Sequence, residues 1–212
     1  MSSVKILKHF SLFSLICVFL FACKAKELTI ELKIDDAIAA ANGDLNMVEF
    51  EAEFSTFGEL DNEKRAQVEA LENILVKYLE IDDFELETND NGFEVLIEGE
   101  VLITNDKNSD NAYFILVENS NILEGYKELR FMTGHNFASL KGEMGSINFM
   151  LAPDEFHPVK FKIKGSDVEI LAPAVEVDGV SHLLYKADLE GRLKLLFKGG
   201  IFEKTGAGFF FK

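Results

Sequence analysis

Leu183-Leu184-Tyr185-Lys186-Ala187-Asp188-Leu189-Glu190-Gly191-Arg192-Leu193-Lys194-Leu195-Leu196-Phe197 is the longest regular alternation in the chain. Its odd positions hold Leu, Tyr, Ala, Leu, Gly, Leu, Leu and Phe. Its even positions from 186 hold Lys186, Asp188, Glu190, Arg192, Lys194 and Leu196. A period of two is the mark of a half-buried strand. The stretch is long for a single strand, and Gly191 has no side chain to pack, so a bend is expected there.

Outward from this stretch the same period returns. Downstream, Gly199-Gly200 turns the chain, Ile201 to Lys204 pairs back, and Phe209-Phe210-Phe211 closes it. Upstream, Val159, Phe161 and Ile163 alternate with Lys160, Lys162 and Lys164, and Val168 and Ile170 resume after Gly165-Ser166-Asp167. Near the start, Leu28, Ile30, Leu32 and Ile34 alternate with Thr29, Glu31 and Lys33, and Asp35 to Ala41 suits a helical turn. Val48, Phe50, Ala52 and Phe54 then alternate with Glu49, Glu51 and Glu53. The three carboxylates sit on one strand with no His beside them, which reads as a solvated acidic face and not as a metal ladder.

One segment has the helical period. Val68, Leu71, Ile74, Leu75, Tyr78 and Leu79 form a stripe within Asp61–Glu80, with Asp61 or Asn62 as cap and Glu63 in the first turn. Ile81 to Glu87 follows as a strand. Asn89-Asp90-Asn91-Gly92 has the chemistry of a tight hairpin turn, and Phe93, Val95, Ile97, Val101 and Ile103 continue on one face. Gly99 in that run predicts a bulge or a close contact. Tyr113 to Val117 is a further strand, giving a meander after the helix. Between 119 and 158 the period is lost. Ile122, Leu123, Tyr126 and Leu129 fit a short helix, 131–145 reads as glycine-bearing loops, and Ile147 to Leu151 as a short strand. The expected fold class is α+β: a mostly antiparallel β-sheet with one long amphipathic helix packed on one face.

Candidate chemistry is sparse. Asp106-x-Asn108-x-Asp110 offers alternate oxygen ligands in a turn, the first half of a calcium loop. The positions that should hold Gly and Glu hold Asn111 and Val117 instead, so a polar turn is the plainer reading. His135, His157 and His182 have no second ligand at helix or strand spacing. A Ser, His and acid triad drawn from Ser139 or Ser181 lacks the Gly-x-Ser-x-Gly elbow. No catalytic residue, confident metal site or dissociable cofactor is expected.

The first 27 residues carry the clearest signal. Lys5 and Lys8 make a basic start, Phe10 to Ala22 is apolar apart from Ser11 and Ser14, and Leu20-Phe21-Ala22-Cys23 follows. This ending resembles a bacterial lipobox, with Phe21 where a smaller residue is usual. The resemblance covers residues 1–27. It implies a signal peptide over 1–22, diacylglycerol on the Cys23 thiol, and an acyl chain such as palmitate on the new amino terminus. Residues 23–27 would then be a short lipidated tether, and 28–212 a single β-rich α+β domain. Lys24 after the cysteine, where Asp would retain a lipoprotein in the inner membrane, implies the outer membrane.

Charge and cysteine usage narrow the partners. The net charge is −16, and loss of Lys5 and Lys8 would make it −18. Such a surface repels nucleic acid and anionic lipid, so any membrane attachment falls to the lipid anchor. With Cys17 in the leader and Cys23 lipidated, no disulfide forms. There are 20 Phe but no Trp and 4 Tyr, which fits a Phe-rich core and lacks the aromatic girdles of an outer-membrane barrel. The expectation is a non-enzymatic binding or structural module of the cell envelope. The alternatives are a carrier of a small apolar ligand or lipid held between sheet and helix, and an envelope enzyme of unknown class.

Overall fold

The structure, a computed structural model, describes residues 25–89, 92–148, 152–153, 158–199 and 206–212. The lipobox with Cys23, the Asp90-Asn91 turn, His157, most of the strand expected at 147–151 and the return at 201–204 lie outside the described residues.

In chain order the elements are β1 (Ala25–Lys33), α1 (Ile34–Ala41), β2 (Asn46–Phe57), α2 (Asn62–Tyr78), β3 (Glu80–Asn89), β4 (Gly92–Thr104), β5 (Tyr113–Asn119), β6 (Lys127–Thr133), α3 (Phe137–Ile147), β7 (Val159–Val177), β8 (Val180–Phe197) and β9 (Gly208–Phe211). The strands run in the order β1-β2-β4-β5-β6-β9-β7, and β7 pairs back to β1. Seven strands therefore close a barrel, with β3 added on β4 and β8 on β7.

This corrects the expected fold class. Among the described residues more than half are strand, and they form a closed, mostly-β barrel with three separate helices, where an α+β sheet with one helix on its face was expected. The physical reason lies in the long hairpin. Around the ring, five pairings are antiparallel, and β4–β5 and β7–β1 are parallel. An odd number of reversals cannot close a ring of straight strands, so a strand must turn. β7 meets β1 through Val159–Lys164 and β9 through Ile170 and Leu171. Between these contacts lie Gly165, a register shift from Ser166 to Val168, and Asp167 at φ 58°. Gly165 pairs with Gly191, which has φ 101°. Two facing glycines and one left-handed Asp thus form the bend.

The barrel is filled by side chains. Phe161, Phe197, Phe209 and Phe211 are fully buried in the core, and Phe161 meets Phe197 and Phe209 edge-on at 5.9 and 5.6 Å. The short helix α1 touches β1, β2, β4, β5 and β7, so it lies across one end of the barrel. Its Ile34, Ala37 and Ala40 are buried, and the small alanines let it approach closely. Glu49, Glu51 and Glu53 alternate with the buried Val48 and Phe50, which places the carboxylates outside the wall. A membrane barrel has the opposite arrangement, with an apolar band outside.

Three further local expectations are corrected. The meander fails because β4 and β5 pair in parallel, Leu102–Thr104 against Phe114–Leu116. The short helix expected around 122–129 is a Ser120–Gly125 turn followed by β6, which is held as a strand by β5 on one edge and β9 on the other. The loops expected at 131–145 contain α3, whose buried Phe137, Leu140 and Met144 follow helical spacing.

Candidate apolar binding site

β2 and β3 flank β4, and both run antiparallel to it, so they are parallel to each other. Parallel strands need a crossover, and α2 supplies it. On one face of this three-stranded flank the residues form apolar rows: Phe54–Val95–Leu86, Ala52–Ile97–Phe84 and Phe50–Gly99–Ile81. The stripe of α2 (Val68, Leu71 and Leu75) belongs to the same core cluster as Phe50, Val95 and Ile97. At Gly99 the packing leaves no room for a side chain. A Cβ there would stand 2.2 Å from the Glu80 carbonyl oxygen.

The helix is fixed at both ends. Asp61 caps it, its carboxylate accepting from the Lys64 N–H at 2.8 Å. At the other end Tyr78 Oη donates to Glu143 Oε1 of α3 at 2.6 Å, and Lys77 Nζ lies 2.5 Å from the same oxygen. The hydrogen bond from Lys77, then that from Tyr78, holds the Glu143 carboxyl below the usual carboxylate range. Between these anchors, α2 rests against β3 and α3. Leu60 and Ile74 on the helix side, and Phe54, Phe84 and Leu86 on the sheet side, are half-buried against the core. These residues form an apolar seam along the contact of α2 with β3. Its half-buried groups are hydrocarbon and aromatic and offer no acid, base or nucleophile.

The residues singled out in sequence do not converge there. Asp106 Oδ1 accepts from the Asn108 N–H at 2.9 Å, which makes a local turn. Asp110 Oδ1 faces His135 Nδ1 at 3.1 Å, both exposed. His182 packs edge-on to Tyr185 at 5.1 Å. Among the described residues no group of three or more His, Cys, Asp or Glu is placed to hold a metal ion.

Outside the flank lies a second feature that the sequence showed only in part. Cross-strand rows run Glu80–Glu100–Glu49 and Asp83–Glu98–Glu51, and Glu87 stands opposite Glu94. Like charges directly opposite repel. The Glu49, Glu51 and Glu53 face is therefore one edge of a wider carboxylate sheet. Lys162 relieves it at Glu51, 3.2 Å away, and also meets Glu31 at 2.8 Å. Sequence reading also missed the aromatic group beside α3, where Tyr113 stacks on Phe131 at 5.2 Å and meets Phe137 edge-on at 5.4 Å. The available signal was the spacing of Phe137, Leu140 and Met144. Compared with protein families and with curated proteins, the chain matches none.

Proposed function

We propose that this protein is a lipid-anchored, non-enzymatic carrier of the bacterial envelope that holds a small apolar ligand or lipid between α2 and the β2–β4–β3 flank. The observation that carries the reading is the seam, where a strongly apolar sheet face meets a helix through half-buried Leu60, Ile74, Phe54, Phe84 and Leu86. Sites for small molecules are mostly apolar with few polar groups, which the half-buried residues along α2 match. The anchor rests on the lipobox resemblance at Cys23. Lys24 supports the outer membrane as its location, with the acidic domain held near the surface by a tether of a few residues.

A titration with a fluorescent fatty-acid analogue tests the carrier reading. Saturable binding is expected. Ala52→Trp, which places a large ring in the row with Ile97 and Phe84, should weaken it about tenfold or more, the worth of roughly 1.4 kcal/mol. Ile122→Trp, at an exposed position on the β5–β6 turn, should leave it unchanged. Equal binding by both variants, with folding intact by circular dichroism, would place the ligand elsewhere or remove it.

A further inference from the structure

The far end of the β7–β8 hairpin carries large apolar side chains in water. Val180 is 57%, Leu183 85% and Leu184 59% exposed. Neighbours on a strand point to opposite faces, so β8 exposes apolar side chains on both of its faces there, while Val175 and Val177 of the paired β7 limb are buried. Leu183 shares the face of the buried Leu189, Leu195 and Phe197. Its exposure shows that the β8 limb leaves the packed core at this end, although the β7 limb beside it stays buried. A tight two-residue turn forms the tip, with Asp178 at φ 50° and Gly179 at φ 80°.

The ribbon also curls back. Glu176 pairs with Ser181 across the hairpin and with Leu196 as well, and Lys198 Nζ lies 2.6 Å from Glu176 Oε2. Leu196 pairs with Lys160, and Lys160 with Thr29 of β1. Three strand spacings, about 15 Å, therefore separate the root of the tip from β1. Cys23 precedes Thr29 by only six residues, a reach of at most about 20 Å.

We propose that the hairpin tip seats Val180, Leu183 and Leu184 in the surface of the bilayer that anchors Cys23. The proposal rests on the lipid-anchored reading above. The short reach from the anchor to the tip selects a membrane as the occupant, and charge selects its type. Glu176, Asp178 and the net negative chain disfavour an anionic surface, so the fit is to zwitterionic lipid. The tip then acts as a second attachment. It fixes which side of the barrel faces the membrane, which a single point of attachment at Cys23 does not do.

The chain has no tryptophan, so Leu183→Trp introduces a single reporter. The full lipidated protein, reconstituted into phosphatidylcholine vesicles with and without brominated acyl chains, should float with the vesicles. The emission of the indole at 183 should shift to shorter wavelength and be quenched by bromine. The same reporter in Val76→Trp, at an exposed position on α2, should remain unshifted and unquenched. Flotation with no quenching at 183 would overturn the docking while leaving the anchor standing. Equal quenching at both positions would overturn it too, as unoriented adsorption. Failure to float would overturn the anchor reading and the docking together.

Discussion

At the residue scale, two glycines in similar sequence settings make opposite demands. Gly99 faces the Glu80 carbonyl so closely that a methyl group cannot fit, whereas nothing stands within 4 Å of a Cβ at Gly142 on α3. Gly99→Ala is expected to cost about 1–3 kcal/mol through overpacking. Gly142→Ala should stabilise by about 0.5–1 kcal/mol through helix propensity. Urea unfolding of both variants checks the pair, and a neutral Gly99→Ala would refute the packing described. Glu169 makes a different kind of contribution. It accepts a hydrogen bond from Tyr126 Oη and meets Lys186 at 2.5 Å and Lys212 at 3.2 Å, so it ties the chain end to β7 and β8. Lys186 first, then Tyr126, holds its carboxyl at about 2, below the ordinary 4.5. A carboxyl depressed in the folded state stabilises above its unfolded pKa, and that contribution disappears as pH falls through the folded value. Glu169→Gln should therefore melt below wild type at pH 7, and the gap should shrink from about pH 4.5 downward and close near pH 2. A gap of constant size across that range would mean that the charge of Glu169 is not what stabilises the fold.

At the element scale, the β2–β4–β3 flank sets an apolar inner face against a carboxylate outer face. Glu98 stands between Glu51 and Asp83, so Glu98→Lys should turn two repulsive neighbours into attractive ones. About 0.5 kcal/mol per pair is expected, with a higher melting temperature at low salt and a smaller gain on adding salt. If wild type melts at the same temperature at low and high salt, the rows do not repel as their register implies. The same flank shows what the sequence disclosed. Period two located β1, β2, β4, β7 and β8, and the α2 stripe with its Asp61 cap was readable to within a few residues, because each pattern is local. The parallel step from β4 to β5, the pairing of β1 with β7 and the curl of the long hairpin join residues far apart in sequence, which no local period records. β6 resembled a helix because Ile122, Leu123, Tyr126 and Leu129 have helical spacing, yet pairing on two edges decides the outcome. The Asp178-Gly179 turn carries a local signal, since Asp-Gly suits two left-handed positions. The apolar seam could be foreseen only as a helix against a sheet. Its half-buried rim depends on the register of β3, which the bulge between Ile81 and Asp83 resets.

At the scale of the whole molecule, a barrel is closed by a bent hairpin, α2 lies along an apolar flank, and the proposed function adds an acyl anchor at Cys23. α2 is central to that flank. Leu71→Ala or Leu75→Ala should cost about 2–5 kcal/mol, because each removes a buried side chain from the shared core. The carrier claim is tested most directly by native mass spectrometry of the protein extracted from its own membrane in mild detergent. The account predicts a chain of residues 23–212 carrying the covalent mass of a diacylglycerol and an acyl group. It also predicts a further apolar molecule that leaves on collisional activation and is lost from Ala52→Trp. A lipidated chain with no such adduct, or an adduct retained equally by Ala52→Trp, would contradict it.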